Sequence, residues 1–286
     1  MKKKFIFFTA ILITFSAVTN AASKISEDPF IKAESAYKKN HFDEALMHYQ
    51  IAANTDNKKA LYKLGVMAEN GEGRSVSYDD AMKYYKASSA GGDLDGYFGV
   101  AYLLEHARGV EGNISEAVKY YTYAAEHNHS KSQHNLAVLL SSSSEATNDY
   151  TKACYYYQKA VQNNFNLSYT PLAYLYVNGQ GCENDNPKAL ELFKKSLLAQ
   201  DDPQAQYNLA LMIARGMGTV KNPILAYALW ENNAKLGHAD SAFNRDVIAK
   251  KMSKKEILKA QTLAKDRVKM INMIKPYKKL VIQKGK

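Results

Sequence analysis

Residues 96–131 read GYFGVAYLLEHARGVEGNISEAVKYYTYAAEHNHSK, and this stretch decides the fold because the rest of the chain repeats its pattern. Six positions align with one another: Ala60, Gly96, Ser132, Ser168, Ala205 and Ser241, at spacings of 36, 36, 36, 37 and 36 residues. A fixed period of this length is the sequence signature of a repeat protein. The chain is therefore predicted to stack copies of one local structure.

The first part of each unit is predicted to be a helix. Four residues after the aligned position a larger apolar residue recurs, and a small residue follows it: Leu64-Gly65, Val100-Ala101, Leu136-Ala137, Leu172-Ala173 and Leu209-Ala210. Small residues on the apolar face of a helix let a neighbouring helix approach closely. Glycine-rich loops after this segment in three of the units indicate where the helix stops.

The second part of each unit is predicted to be another helix. It starts at a potential N-cap, which is Ser77, Asn113, Asp149, Asp185 or Asn222. An alanine follows four residues later, and then a pair of large apolar or aromatic residues such as Tyr120-Tyr121. Such pairs are buried only when a neighbouring unit covers them. The sequence therefore predicts an all-α fold of stacked antiparallel helix pairs.

This combination of a small residue, Leu-Gly/Ala, Gly-x-Gly, a cap and Ala-x-x-Tyr-Tyr resembles the Sel-one-like repeat family, relatives of the tetratricopeptide repeat. The resemblance implies a right-handed α-solenoid of antiparallel helix pairs with 36-residue repeats that binds other proteins. It assigns residues 60–240 to five repeats, 22–59 to an N-terminal degenerate repeat hairpin and 241–275 to C-terminal capping helices. Relatives include envelope scaffolds, secretion and motility accessories, host-interaction factors and immunity proteins against secreted toxins.

The N-terminus predicts export. Lys2, Lys3 and Lys4 precede an apolar stretch at residues 5–18, and Thr19-Asn20-Ala21 offers small residues at the positions that a signal peptidase reads. We expect residues 1–21 to be a signal peptide that is cleaved after Ala21. The mature chain, residues 22–286, is then periplasmic and unanchored, with secretion from the cell as the alternative.

Charge is concentrated at the other end of the chain. Residues 250–286 hold thirteen Lys or Arg side chains against only Glu256 and Asp266. The basic tail at residues 276–286 could contact anionic lipid or cell-wall polymer, although a solvated helix face explains the charge as well. Nucleic acid is a poor partner for an exported protein.

No catalytic set is evident, so we expect a protein that is not an enzyme and needs no cofactor. Ser35-Ala36-Tyr37-Lys38 fits an S-x-x-K pattern but lacks the further motifs of penicillin-recognising enzymes. His127, His129 and His134 form the only histidine cluster, and without an evident fourth ligand we predict no metal site.

Cys154 and Cys182 are the only cysteines of the chain. Their positions within the repeat differ by eight helical residues, about 12 Å of rise. That distance exceeds the usual Cα–Cα reach of a disulfide unless the loop folds back. Two separate thiols are therefore favoured over a disulfide.

The predicted binding surface is the concave groove, which the first helices of the repeats line in tetratricopeptide stacks. Carrying that geometry over by repeat position gives a strip of aromatic and polar residues: Tyr62, Phe98, Tyr102, His106, His134, Tyr174, Asn178, Tyr207 and Arg215. Such a composition is typical of protein-binding hot spots. The alternative is that the aromatic residues pack between units and never contact a partner.

Two functions follow from the sequence. The favoured one is an exported, non-catalytic module that docks one partner protein in the groove, as a scaffold or as an inhibitor or immunity protein against a secreted toxin. The alternative is an envelope-associated or host-interaction factor that binds anionic surfaces through its basic C-terminal segment. The chain alone is expected to be monomeric.

Overall fold

The computed structural model describes residues 28–142 and 148–276. Within them every regular element is a helix and no strand is present. The predicted signal peptide and residues 277–286 of the predicted basic tail lie outside the described residues. None of the described helices is long and apolar enough to cross a bilayer. The chain divides into two compact units, Met1–His129 and Ser130–Lys286.

The first unit consists of three antiparallel helix pairs. They are α1 (Pro29–Lys38) with α2 (Phe42–Ala53), α3 (Lys58–Asn70) with α4 (Tyr78–Ala90), and α5 (Leu94–Glu105) with α6 (Ile114–Glu126). Leu64 of α3 and Val100 of α5 are buried at equivalent positions of successive pairs. Tyr85 and Tyr121 are buried from the second helices, so that each pair contributes its large residue to a continuous core.

The second unit repeats this arrangement and extends it. Its pairs are α7 (Ser130–Ser141) with α8 (Tyr150–Gln162), α9 (Tyr169–Asn178) with α10 (Asn186–Gln200), and α11 (Pro203–Arg215) with α12 (Pro223–Ala234). Three further helices follow: α13 (Ala239–Ala249), α14 (Lys254–Leu263) and α15 (Arg267–Met273). The expected all-α fold of helix pairs at a spacing of about 36 residues is confirmed.

Local capping chemistry sets where the second helices begin. All five predicted N-caps are confirmed, because each side-chain oxygen accepts a hydrogen bond from the backbone N–H three residues later: Ser77, Asn113, Asp149, Asp185 and Asn222. At the start of α14, Ser253 and Glu256 form a complete capping box. Each cap satisfies a backbone donor that the first helical turn would otherwise leave unpaired.

The predicted helix stops use left-handed backbone. Gly71, Gly179 and Gly216 end the first helices with φ values of +74°, +67° and +75°. The equivalent position after α5 is Ala107, which has a φ of +49°. An alanine in this region brings its Cβ close to the following carbonyl oxygen, whereas glycine does not. The second repeat therefore keeps the shared turn at an energetic cost.

The C-terminal segment after α13 contains two separate helices, α14 and α15. The chain turns after Leu263, and Asp266 caps a separate helix, α15. Ala260, Ala264 and Ile271 are buried, whereas Val268, which follows the break between the two helices, is 71% exposed. The Lys194 ammonium donates to the Ile274 carbonyl at 3.0 Å and attaches the end of this segment to α10.

Candidate functional site

The first unit presents a row of stacked rings on α5. Phe98, Tyr102 and His106 follow one another at intervals of four residues and so lie on one helix face. The Phe98 and Tyr102 ring centroids are 6.0 Å apart, and those of Tyr102 and His106 are 4.2 Å apart. Phe98 and Tyr102 are half-buried and His106 is exposed. We call these three residues the α5 aromatic row.

The positively charged Arg108 side chain packs against the α5 aromatic row. The Arg108 guanidinium lies 5.4 Å from the centre of the Tyr102 ring, and it donates to Glu69 Oε1 at 3.1 Å. Glu69 also accepts the Tyr85 hydroxyl at 2.8 Å. A cation above a tyrosine face is an attractive contact, and here the carboxylate holds that cation in place. The row therefore has a defined geometry before any partner arrives.

Two buried tyrosines link the second helices to this face. The Tyr121 hydroxyl donates to Glu105 Oε2 at 2.8 Å, as Tyr85 does to Glu69 one repeat earlier. Burial raises the pKa of Tyr85, and the Glu69 charge raises it further because a nearby anion disfavours the phenolate. These glutamates support the fold from the first helices. Neither glutamate is among the binding residues predicted from the sequence.

Tyr62, the remaining predicted residue of the first unit, belongs mainly to the packing. Its ring centroid lies 5.6 Å from that of Tyr85, and the side chain is half-buried. Burial, reinforced by the charge of Asp95, raises the pKa of Tyr62. Much of its ring is therefore committed to neighbouring helices.

In the second unit, three of the predicted residues make bonds to the next repeat. His134 Nδ1 lies 2.9 Å from Ser168 Oγ, the Tyr174 hydroxyl accepts from Asn208 at 2.7 Å, and the Tyr207 hydroxyl accepts from Asn244 at 3.0 Å. The sequence left packing between units open as the alternative for such residues. The contacts of these three side chains fit that alternative.

Asn178 and Arg215 stand apart from this packing. Both are exposed at the ends of their helices, and the Asn178 side-chain amide donates to nearby Gln180 at 3.3 Å. Arg215 lines a cavity of about 470 Å³. Trp230 lines the same cavity and is not among the binding residues predicted from the sequence. The signal that could have singled it out is that it is the sole tryptophan of the chain.

Each histidine of the predicted cluster has its own contacts with other residues. His127 Nδ1 lies 2.7 Å from the Tyr123 carbonyl oxygen, and His129 Nε2 lies 3.2 Å from Asp95 Oδ1. Burial lowers the pKa of His134 to about 4, which keeps its ring neutral at pH 7. No group of three metal-ligating side chains that could hold an ion is found in residues 28–142 and 148–276.

The prediction of two separate thiols was wrong, because Cys154 and Cys182 form a disulfide with a Cα–Cα distance of 5.9 Å. The loop after α9 folds back onto the start of α8. At Gly181 the fold-back is so close that an added Cβ would overlap the Tyr150 carbonyl group. Helical rise overestimated the separation because Cys182 lies on this returning loop.

Comparison with known proteins identifies the repeat. The family model described as Sel1 repeat matches residues 36–57, 58–93, 94–129, 130–165, 166–201 and 203–238. A search of curated proteins gives no match.

Two solved structures of similar fold come from bacteria. The Sel1 repeat protein of Oxalobacter formigenes is 23% identical, with a TM-score of 0.67 over 85% of this chain and 96% of that one. A protective antigen present in uropathogenic Escherichia coli strains, with an SLR fold, is 18% identical, with a TM-score of 0.53 over 88% of this chain. The match spans 63% of the antigen. At these identities the likeness shows the fold alone.

Proposed function

Because the chain belongs to the Sel1 repeat family, we propose that it is an exported, non-catalytic protein-binding module that docks a partner on the first helices of its repeats. Helical repeat folds of this kind are commonly used for protein–protein interaction. The observation that carries the proposal is the α5 aromatic row, whose rings are stacked, partly exposed and flanked by a fixed cation.

The physical case rests on the cost of ordering side chains. Binding a partner normally immobilises flexible groups, and each of them costs about 0.5–1.5 kcal/mol. Tyr102 is already held between Phe98 and His106, and Arg108 is already held by Glu69. Little further ordering is needed, so contact with this row is converted efficiently into affinity. Tyrosine and arginine are also the residue types that dominate binding hot spots.

Export is the second part of the proposal. The lysines at positions 2–4 and the apolar residues 5–18 have the pattern of a signal peptide. The Cys154–Cys182 disulfide is consistent with an oxidising compartment, where such bonds persist. We propose the periplasm as the location, where the partner is either an envelope protein that the module scaffolds or a secreted toxin that it inhibits. An inhibitor requires tight one-to-one binding, whereas a scaffold tolerates weaker and broader contacts.

The test is an affinity capture with matched variants. Purified residues 22–286 are compared with a Tyr102→Ala/His106→Ala double variant in envelope and culture extracts. The control is Tyr123→Ala, because Tyr123 is also an exposed, stacked tyrosine of the same helix pair but lies on α6. We expect one stoichiometric protein that the native chain and Tyr123→Ala recover and the double variant loses. Equal recovery by all three would refute the assignment to the α5 aromatic row.

One observation favours the alternative function. Lys250, Lys254, Lys255 and Lys259 are exposed, and none of them forms an ion pair within the described residues. They could bind an anionic envelope surface together with the tail at residues 277–286. This alternative predicts binding to vesicles that contain anionic lipid, loss of that binding as salt rises, and loss on deletion of residues 277–286.

A further inference from the structure

The cavity in the second unit has an apolar floor and a basic rim. It lies among α11, α12 and α13 and has a volume of about 470 Å³. Leu211, Pro223, Val247, Ile248 and Met252 supply apolar surface, and Val247 is 40% exposed. A depression of this size and lining can hold one or two apolar side chains of a bound peptide.

Trp230 forms part of the wall of this cavity. The Trp230 side chain is only 3% exposed, and its indole N–H has no acceptor within the described residues. An aromatic ring in the cavity wall offers a large apolar contact to an inserted side chain.

The rim carries three cations without partners. Arg215 ends α11, Lys221 lies in the following loop, and Lys251 follows α13. None of them forms an ion pair or side-chain hydrogen bond within the described part of the chain, and no carboxylate lines the cavity. Lys235 of the same unit, by contrast, pairs with Glu231 at 3.1 Å. The positive charges at the rim of the cavity therefore favour the binding of an anion.

We propose that this cavity is a docking site for an acidic segment of a partner protein, with a bulky apolar side chain inserted beside Trp230 and flanking Asp or Glu carboxylates on Arg215, Lys221 and Lys251. Three cations on three separate elements match several carboxylates, which an acidic segment supplies and a single C-terminal carboxylate does not. The chain's own basic tail has the wrong charge for the site. The inference deepens the proposed function and rests on it only in treating the chain as a protein-binding module.

Trp230 provides its own reporter, because it is the only tryptophan in the chain. Its fluorescence is titrated in residues 22–286 with the peptide acetyl-Glu-Asp-Leu-Phe-Asp-Glu-amide, which has no tryptophan. Three further probes are the same peptide with Leu and Phe replaced by Ser, the same peptide with Lys at the acidic positions, and a neutral Leu-Phe peptide with a free C-terminus. The test variant is Arg215→Glu/Lys251→Glu, and Lys119→Glu/Lys195→Glu, at two exposed lysines outside the cavity, is the control of equal charge.

We expect a saturable change in Trp230 emission with the acidic apolar peptide, weakened at least about tenfold in the Arg215→Glu/Lys251→Glu variant, weakened by salt and unchanged in the control. The Ser-substituted and Lys-substituted peptides should bind much more weakly. The proposal is overturned by no response up to about 1 mM peptide, by equal binding to both variants, or by binding of only the free-C-terminus peptide. The α5 capture experiment involves none of these residues, so the two proposals can fail separately.

Discussion

Acid should weaken the second unit through His134. This residue was predicted to face a partner, but its ring lies 5.3 Å from that of Phe165 and 5.7 Å from that of Tyr157. Burial lowers the pKa of His134 from 6.5 to about 4. The unfolded chain therefore takes up a proton below about pH 6.5 while the folded chain does not. Stability contributed by the neutral ring is complete above that pH and is lost as the pH falls towards 4.

The magnitude follows from the difference in pKa. A shift of one pKa unit corresponds to about 1.4 kcal/mol. Because the pKa of His134 falls from 6.5 to about 4, the free energy of unfolding that is lost at pH 4.5 is at most about 2.5 kcal/mol. Because the ring is only half-buried, solvent reduces this figure, and we expect about 2 kcal/mol. That is a large share of the free energy of unfolding of an ordinary domain.

The assay is urea unfolding followed by Trp230 fluorescence, since Trp230 belongs to the same unit as His134. Native protein and His134→Gln are compared at neutral pH and at about pH 4.5. Glutamine can still bond Ser168 but cannot take up a proton in this range. The native chain should lose about 2 kcal/mol more than the variant between the two pH values. Equal losses in the two proteins would refute the reasoning, whatever their stabilities at neutral pH.

Three other perturbations follow from the structure. Ala107→Gly removes a left-handed alanine and should raise the free energy of unfolding by about 0.5–1 kcal/mol in thermal melts; no gain would show that the turn is unstrained. Replacing Cys154 and Cys182 with serine opens a 28-residue loop and should cost about 3 kcal/mol in denaturant titrations, and an unchanged midpoint would contradict this. Burial and hydrogen bonding to Glu72 raise the pKa of Tyr37 to about 12. The stability that the protonated Tyr37 side chain contributes should therefore be complete below pH 10 and be lost as the pH rises through 12. A Tyr37→Phe variant that unfolds in alkali with the same pH profile as the native chain would exclude that contribution.

The sequence predicted the features of the fold that depend on local chemistry. The caps at Ser77 and Asn222 and the glycine stops at Gly71 and Gly216 depend on hydrogen bonds and backbone angles within a few residues. Such rules hold wherever the pattern occurs. Because the same pattern recurs in each repeat, the same local rules predict the same helix pair in each one. The fold class could therefore be predicted without any tertiary information.

The features that the sequence did not predict depend on three-dimensional proximity. The disulfide requires the loop at Gly181 to return to Tyr150, which no helical rise describes. Among the residues that the structure describes, the indole N–H of Trp230 has no acceptor, and this depends on its three-dimensional surroundings, whereas the repeat pattern indicates only that such a position is buried. The α5 aromatic row was within reach of the sequence because its spacing of four places three rings on one face.

The most direct test of the central claim is site-specific photo-crosslinking in the cells that make the protein. A photoreactive phenylalanine analogue replaces His106 at the exposed end of the α5 aromatic row, and, in a matched strain, Lys119 on the exposed face of α6. We predict one discrete crosslinked protein from position 106 and none from position 119. The same products from both positions, or no product from position 106, would contradict the proposal that this row is the binding surface.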